Sequence, residues 1–162
     1  MSGAYQLAQV NIGRLKAPID APEIREFVDN LDRINALADS QPGFIWRLVG
    51  DGNNATDIQA FEDPTVNINL SVWNSLDHLA AFVYRTAHRD IMRRRREWFQ
   101  QMDLYLALWW VPSGHRPTPA EARARLEFLE RHGPTAEAFT FRTPFPAPDV
   151  VERPVPVLDE CA

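Results

Sequence analysis

The sequence predicts an α+β fold with the ferredoxin-like element order β-α-β-β-α-β. Three patterns lead to this prediction. Residues 68–74 (INLSVWN) alternate between apolar and polar side chains, as a strand with one buried face does. Residues 23–39 carry apolar side chains at helical spacing. Residues 104–111 (LYLALWWV) are apolar on both sides, which indicates a strand covered on both faces.

The residue pattern in the first half of the chain predicts a strand, a helix and a second strand. The first strand is expected at residues 5–15 and the helix at residues 23–39, with Pro22 suited to its first turn. The turn signal Gln41-Pro42-Gly43 ends this helix. Residues 44–50 (FIWRLVG) then predict a strand. Its expected apolar face consists of Phe44, Trp46 and Leu48.

The second half predicts a long helix between the two remaining strands. Ser75 is the expected N-cap of a helix that runs from Leu76 to about Gln101. Its apolar stripe drifts near Arg85-Thr86, which predicts a bend there. The last strand, residues 104–111, ends at Pro112.

A further helix and an arm follow. Thr118-Pro-Ala-Glu121 has the pattern of a capping box with proline at the first helical position. We therefore expect a ferredoxin-like domain at residues 1–112 and a C-terminal helix and extension, residues 113–148, packing on the same domain. The proline-rich remainder, residues 149–162, is expected to be a flexible tail, and residues 139–141 are candidates for a short strand.

The doubly apolar strand at residues 104–111 needs two covers. One layer of helices covers only one face of a sheet. The other face requires either a partner chain or the C-terminal segment, and the sequence leaves both alternatives open.

Composition excludes several classes of function. A net charge of -5 argues against nonspecific nucleic-acid binding, and the single cysteine, Cys161, cannot form an intrachain disulfide. No run of about 18 apolar residues is present, so we expect a soluble, cytoplasmic protein with no membrane contact. No Walker loop, G-x-G-x-x-G or G-x-S-x-G motif occurs, and the four histidines lack the paired spacing of a metal site.

Two chargeable side chains on an apolar stripe are the catalytic candidates. Projection at about 100° per residue places six residues on one side of the long helix. They are Tyr84, His88, Ile91, Arg95, Trp98 and Met102. Burying His88 and Arg95 there costs free energy unless a protein group or a ligand pairs with them. Arg93, Arg94 and Arg96 are interpreted as a solvated, charge-paired face, with Asp90 spaced to pair with Arg94.

Asn35 and a set of aromatic residues are the ligand-binding candidates. Asn35 falls inside the apolar stripe of the first helix, where its amide bonds either to backbone or water or to a ligand. The aromatic candidates are Trp46, Trp73, Tyr84, Trp98 and Trp109. Such a set suits a flat hydrophobic ligand, and core packing explains it equally well.

Four segments carry a family resemblance: INLSVWN, FVYRTAHRDIMRRRREWF, LALWWVPSGHRPTPAEARARLEFLERHGP and AFTFRTPFPAP. They resemble a bacterial family of uncharacterised domains similar to the antibiotic biosynthesis monooxygenase-like, dimeric α+β barrel superfamily. The resemblance spans residues 5–148 and is most specific at residues 82–134. It implies a protomer that dimerises through its sheet and holds a ligand between the sheet and the helices.

The superfamily includes cofactor-free oxygenases acting on polycyclic aromatics, haem-degrading enzymes, isomerases and non-catalytic proteins. We therefore expect a homodimer that binds a small hydrophobic or aromatic ligand, with His88 as base or donor and with Arg95 and Asn35 polarising an oxygen. No cofactor is predicted. Haem is the alternative, because haem-degrading members use an Asn on the first helix and a His on the second, which Asn35 and His88 resemble. A non-catalytic binding module is the third alternative, and whether the protein is an enzyme stays open.

Overall fold

The computed structural model describes residues 3–50, 54–56, 58–101 and 105–148. The strands are β1 (Tyr5–Leu15), β2 (Phe44–Arg47), β3 (Val66–Trp73), β4 (Phe99–Gln100) and β5 (Leu106–Pro112). The helices are α1 (Arg25–Asp39), α2 (Leu76–Arg85), α3 (His88–Arg93), α4 (Arg95–Trp98) and α5 (Pro119–His132). Of the helices in these ranges, none combines the length and the apolar character needed to cross a membrane.

The strands form one antiparallel sheet with β1 at its centre. β3 pairs with one side of β1, and β5 and the short β4 pair with the other. β2 lies outside β3, so the main strands are ordered β2-β3-β1-β5. This order confirms the predicted ferredoxin-like α+β class.

Alternation along the central strands gives the sheet two distinct faces. The helix face packs against α1 and α2 and includes Leu7, Trp73 and Leu108. The far face packs against α5. The buried Gln6 lies on this face opposite Val111, and the other buried side chains that the sheet contributes to it are apolar. They are Ala8, Val10, Ile68, Leu70, Val72, Ala107, Trp109 and Val111. The predicted division of β3 into Ile68, Leu70 and Val72 against Asn69, Ser71 and Trp73 is thus confirmed.

The far face is covered within the single chain. Ala122, Leu126 and Leu129 of α5 are buried in the same apolar cluster as Val72 and Trp109. Of the two covers that the sequence left open, the structure supplies the C-terminal segment. The expectation of a homodimer through this face therefore loses its physical ground, because the apolar surface is already buried.

The predicted helix from Leu76 to about Gln101 is wrong beyond Arg85, although the bend was expected there. Thr86 is extended, at φ −117° and ψ −178°. Its hydroxyl donates to the Phe82 carbonyl at 2.5 Å and accepts from the His88 N–H at 3.3 Å. The threonine side chain thus competes with the backbone for the bonds that would continue the helix. Two short helices, α3 and α4, and the strand β4 replace the rest of it.

Strand β2 is shorter than expected and changes face. The register slips between Phe44, which lies opposite Trp73, and Trp46, which lies opposite Val72. This bulge places Phe44 on the helix face and Trp46 on the far face, because an extra residue inverts the alternation. The predicted common face of Phe44, Trp46 and Leu48 is therefore wrong.

Both predicted N-caps are present. The Ser75 hydroxyl accepts from the His78 N–H at 3.2 Å, and the Thr118 hydroxyl accepts from the Glu121 N–H at 3.1 Å. Phe139 exchanges two backbone hydrogen bonds of 2.8 Å with Leu108, so the candidate strand at residues 139–141 is reduced to a single bridge on the β5 edge. The expected flexible tail, residues 149–162, lies outside the described residues.

Replacing Leu126 by alanine tests the cover over the far face. We expect Leu126→Ala to lower the free energy of unfolding by about 2–5 kcal/mol, since it leaves a cavity against the sheet. Urea denaturation measures this loss. Glu130→Ala on the exposed side of α5 is the matched control, and an equal effect of both variants would contradict the packing of α5.

Candidate functional site

A hydrogen-bonded polar network lies on the helix face at the centre of the sheet. Gln9 Nε2 donates to Asn69 Oδ1 at 2.7 Å and to Ser71 Oγ at 2.8 Å. Gln9 Oε1 accepts from Asn11 Nδ2 at 3.2 Å, and Trp73 Nε1 donates to Ser71 Oγ at 2.9 Å. Gln9 is only 4% exposed, so these partners are what make its burial tolerable.

Gln9 and Asn11 were missed from the sequence. The polar positions of β3 were recognised because that strand alternates cleanly. In β1 the same signal is present, since Leu7, Gln9 and Asn11 share one face, but small residues between them weaken the contrast. The register, which pairs Asn11 with Asn69, makes the two strands contribute to one polar patch.

An aromatic stack leads from this network to His88. The rings of Trp73 and Phe82 stack with centroids 5.2 Å apart and an interplanar angle of 22°. Phe82 then contacts the His88 imidazole at 4.8 Å. Phe44 closes the other side of Trp73 in an edge-on contact at 5.3 Å. These contacts make the packing between the sheet and the helices largely aromatic at this point.

His88 carries an unsatisfied buried nitrogen. Its Nδ1 is buried and has no hydrogen-bond partner within the described parts of the chain. Burial lowers the pKa of His88 below its ordinary value of 6.5. A hydrogen bond with the backbone of Val83 raises the pKa, but by less than burial lowers it. The imidazole is therefore neutral at pH 7, with a nitrogen that can accept or donate one hydrogen bond.

Asn35 is the second buried polar group of the helix layer. It is 8% exposed and lies on α1 between Ile34 and Ala38, which both belong to the cluster around Trp73 and Phe82. Over the described residues its side chain makes no hydrogen bond. Of the predicted partners, backbone or water against a ligand, no backbone group bonds to the amide there. The amide is not among the buried atoms that lack a partner, so it reaches solvent, and water or a ligand remains as its partner.

Arg95 and Tyr84 lie outside this region, and the expectation that Arg95 is buried is wrong. Arg95 is exposed, with its guanidinium carbon 5.0 Å from the centre of the Tyr105 ring. Tyr84 is 47% exposed and packs edge-on against Phe141 at 5.6 Å. The helical projection fails because the backbone breaks at Thr86 and again at Arg94, so residues 84 and 95 no longer share one helix.

Three of the aromatic residues predicted to bind a ligand pack in hydrophobic clusters other than the one that contains Trp73. Trp98 is buried beside Phe27, with centroids 5.7 Å apart, in a cluster separate from that of Trp73. Trp46 and Trp109 lie on the far face, where Trp109 Nε1 donates to Glu121 at 3.2 Å. Core packing therefore accounts for these three tryptophans. Of the predicted site residues that the structure describes, Trp73 and His88 both contact Phe82 in the layer between sheet and helices, and Asn35 is buried on α1 among residues of the same apolar cluster. Met102, the last residue of the predicted stripe, lies outside the described residues.

Among the described residues, the arginine run makes carboxylate contacts at Arg94. Arg94 donates twice to Glu26, at 2.7 and 2.6 Å, and once to Glu97 at 2.7 Å. The predicted pair with Asp90 is replaced by this contact to α1, which lies 68 positions away in the sequence. The Arg94 guanidinium holds the pKa of Glu26 below its usual range through the same hydrogen bonds. Within the described ranges no cluster of three potential metal ligands occurs.

The lowered pKa of His88 predicts a pH dependence of stability. Unfolded His88 takes up a proton as the pH falls below 6.5, whereas the folded form resists protonation. The unfolded state therefore binds more protons in this window, and the free energy of unfolding falls as the pH falls. We expect His88→Gln to weaken this dependence between about pH 7.5 and about pH 5.5 in urea denaturation. His132→Gln, which removes an exposed histidine, is the matched control. An equal weakening by both variants would contradict the assignment of the effect to His88.

Three solved structures are similar to the chain over nearly their whole length. A conserved protein from Methanosarcina mazei Go1 is 14% identical, with a TM-score of 0.48, covering 67% of this chain and 93% of that one. The NE2512 protein of unknown function from Nitrosomonas europaea is 13% identical, with a TM-score of 0.46, covering 72% and 97%. A protein from Nitrosomonas europaea provisionally named an antibiotic biosynthesis monooxygenase is 14% identical, with a TM-score of 0.46, covering 73% and 98%. At these values the similarities carry no inference about function.

Sequence comparison identifies the family. No curated protein matches the chain. The model of one family, described as a domain of unknown function, DUF3291, matches residues 6–154. This confirms the predicted membership of an uncharacterised-domain family. The chain belongs to the DUF3291 family.

Proposed function

We propose that this protein binds a small aromatic molecule carrying an oxygen, in the space between the helix face of the sheet and α1–α3. The observation that carries the proposal is the buried, unpartnered Nδ1 of His88. A buried polar atom without a partner costs about 1–3 kcal/mol, and a bound ligand that supplies the hydrogen bond recovers that cost.

The surrounding side chains define the chemistry of the ligand. Trp73 and Phe82 offer aromatic surface, which favours a flat apolar body. Asn35 and His88 offer two polar side chains with free hydrogen-bonding capacity, which favours one hydroxyl or carbonyl group on that body. The polar patch at Gln9 is already satisfied by its neighbours and forms the floor of the space.

Entry of the ligand requires a local movement. Nδ1 is not accessible from solvent while Phe82 lies against the imidazole. The helix layer is interrupted at Thr86, between α2 and α3, where the backbone is extended and the helical hydrogen bonds do not continue. We propose that α3 moves at this break and that His88 turns toward the ligand.

Neutral His88 suits proton transfer as well as binding. Its nitrogen can take a proton from an acidic C–H or O–H group of the ligand, and the Asn35 amide can stabilise the oxyanion that remains. Returning the proton to another carbon isomerises the molecule. Transferring electrons from the carbanion to O2 instead begins an oxygenation without a cofactor. Arg95, which is exposed, has no part in this step.

Ligand binding is tested with 1-naphthol as the probe. We expect His88→Gln and Asn35→Leu each to weaken binding by about tenfold, measured by calorimetric titration, because each removes one hydrogen bond to the hydroxyl. Trp98→Phe, in the separate cluster, is the control and should bind as the wild type does. Binding that none of the variants changes would refute the site, and oxygen uptake with an oxidisable phenol would distinguish oxygenation from isomerisation.

Haem is the second candidate, suggested by the pair of Asn35 on α1 and a free imidazole nitrogen at His88. The packing fits haem less well than the smaller ligand, because Phe82 lies against the imidazole and the larger macrocycle needs a larger displacement of the helix layer to reach Nδ1. Protein mixed with haemin should show no shift of the Soret band, and a shift abolished by His88→Ala would reverse the order of the two candidates.

The homodimer and the cytoplasmic location remain proposals from the sequence and the family resemblance. Because α5 covers the far face, a pairing surface has to lie elsewhere on the chain.

A further inference from the structure

A basic groove lies on the surface beside α2, α3 and α4. Its volume is about 580 Å³, within the range of small-molecule sites. Eight residues line it: Val83, Tyr84, Arg89, Met92, Arg93, Arg95, Arg96 and Tyr105. His88 is not among them, so the groove is distinct from the site proposed above.

Four guanidinium groups at this groove have no carboxylate partner among the described residues. They belong to Arg89, Arg93, Arg95 and Arg96. Arg94, within the same run, is neutralised by Glu26 and Glu97, and further paired arginines lie elsewhere on the chain. In a chain with a net charge of -5, this cluster concentrates positive charge on one small area.

The groove also has aromatic walls. Tyr84 and Tyr105 are 47% and 38% exposed, an unusual exposure for large side chains in this protein. The guanidinium of Arg95 lies 5.0 Å from the Tyr105 ring centre, a cation–π arrangement that holds it at the wall. Cationic forks beside aromatic surface are suited to a ligand with an anionic end and a flat or apolar body.

We propose that this groove binds a small organic phosphate. Its phosphate group lies among the guanidinium groups of Arg89, Arg93, Arg95 and Arg96, and its organic part lies against Tyr84 and Tyr105. Phosphate fits better than a single carboxylate, because a dianion with three terminal oxygens can accept paired N–H bonds from more than one arginine fork. The proposal does not depend on the function proposed for His88.

Adenosine monophosphate and inorganic phosphate are the probes, titrated calorimetrically against the full chain at low ionic strength. We expect the double variant Arg93→Gln/Arg95→Gln to weaken binding of adenosine monophosphate by about tenfold or more, because it removes two guanidinium groups that donate charged hydrogen bonds to the phosphate. Arg116→Gln/Arg131→Gln removes the same charge at exposed arginines outside the groove and should leave the affinity within about twofold.

Two further variants separate the roles of the groove. Tyr105→Leu should reduce the preference for adenosine monophosphate over inorganic phosphate, because the aromatic wall then contributes less. His88→Gln should keep the wild-type affinity for both probes, which separates this site from the other one.

Three results would overturn the proposal. The first is no binding of either probe at about 1 mM. The second is equal weakening by the groove and control double variants, which would indicate general ionic attraction. The third is tighter binding of a single-stranded DNA oligonucleotide, lost in Arg93→Gln/Arg95→Gln, which would indicate a nucleic-acid surface instead.

Discussion

Burial of the central strand on both faces is the constraint on which the rest of the structure depends. β1 has β3 on one side and β5 on the other, so its side chains can only be covered from above and below. Ala8 and Val10 point to the far face and are fully buried there, which requires the apolar side of α5. Leu7 and Gln9 point to the helix face, where Gln9 needs hydrogen bonds because its amide is taken out of water.

The two faces of the sheet are covered by different kinds of contact. On the far face, apolar packing is complete within one chain, and Trp46 and Trp109 belong to it. On the helix face, polar and aromatic groups are mixed. The polar side chains of the sheet are hydrogen-bonded to one another, whereas His88 Nδ1 on α3 has no partner among the described residues. His88 is where this imbalance is greatest, because α3 begins at a break that brings its imidazole under Phe82 without a partner for Nδ1.

The sequence predicted those features that depend on neighbours along the chain. Alternation located β3 and β5, and the hydroxyls of Ser75 and Thr118 marked the starts of α2 and α5 because a cap bonds only three residues ahead. The helix break at Thr86 was predicted as a bend, but the competing side-chain hydrogen bond was not.

Features that depend on distant residues could not be predicted in this way. Arg94 pairs with Glu26, which lies 68 positions away in the sequence. The bulge that turns the Trp46 side chain to the far face depends on how β2 pairs with β3. The choice between a partner chain and α5 as the cover over the far face is also a matter of tertiary packing. For the candidate site, the grouping of Asn35, Trp73 and His88 stays a prediction. Arg95 was misplaced by a projection that assumed one continuous helix.

The most direct test of the account is the state of His88 itself, measured by ¹⁵N NMR of the histidine side chains with His88→Gln to assign the signal. We expect a neutral imidazole at pH 7 whose Nδ1 resonance shifts when 1-naphthol is added, as a new hydrogen bond forms. An imidazole that is already protonated at pH 7, or an Nδ1 resonance that the probe leaves unchanged, would contradict it.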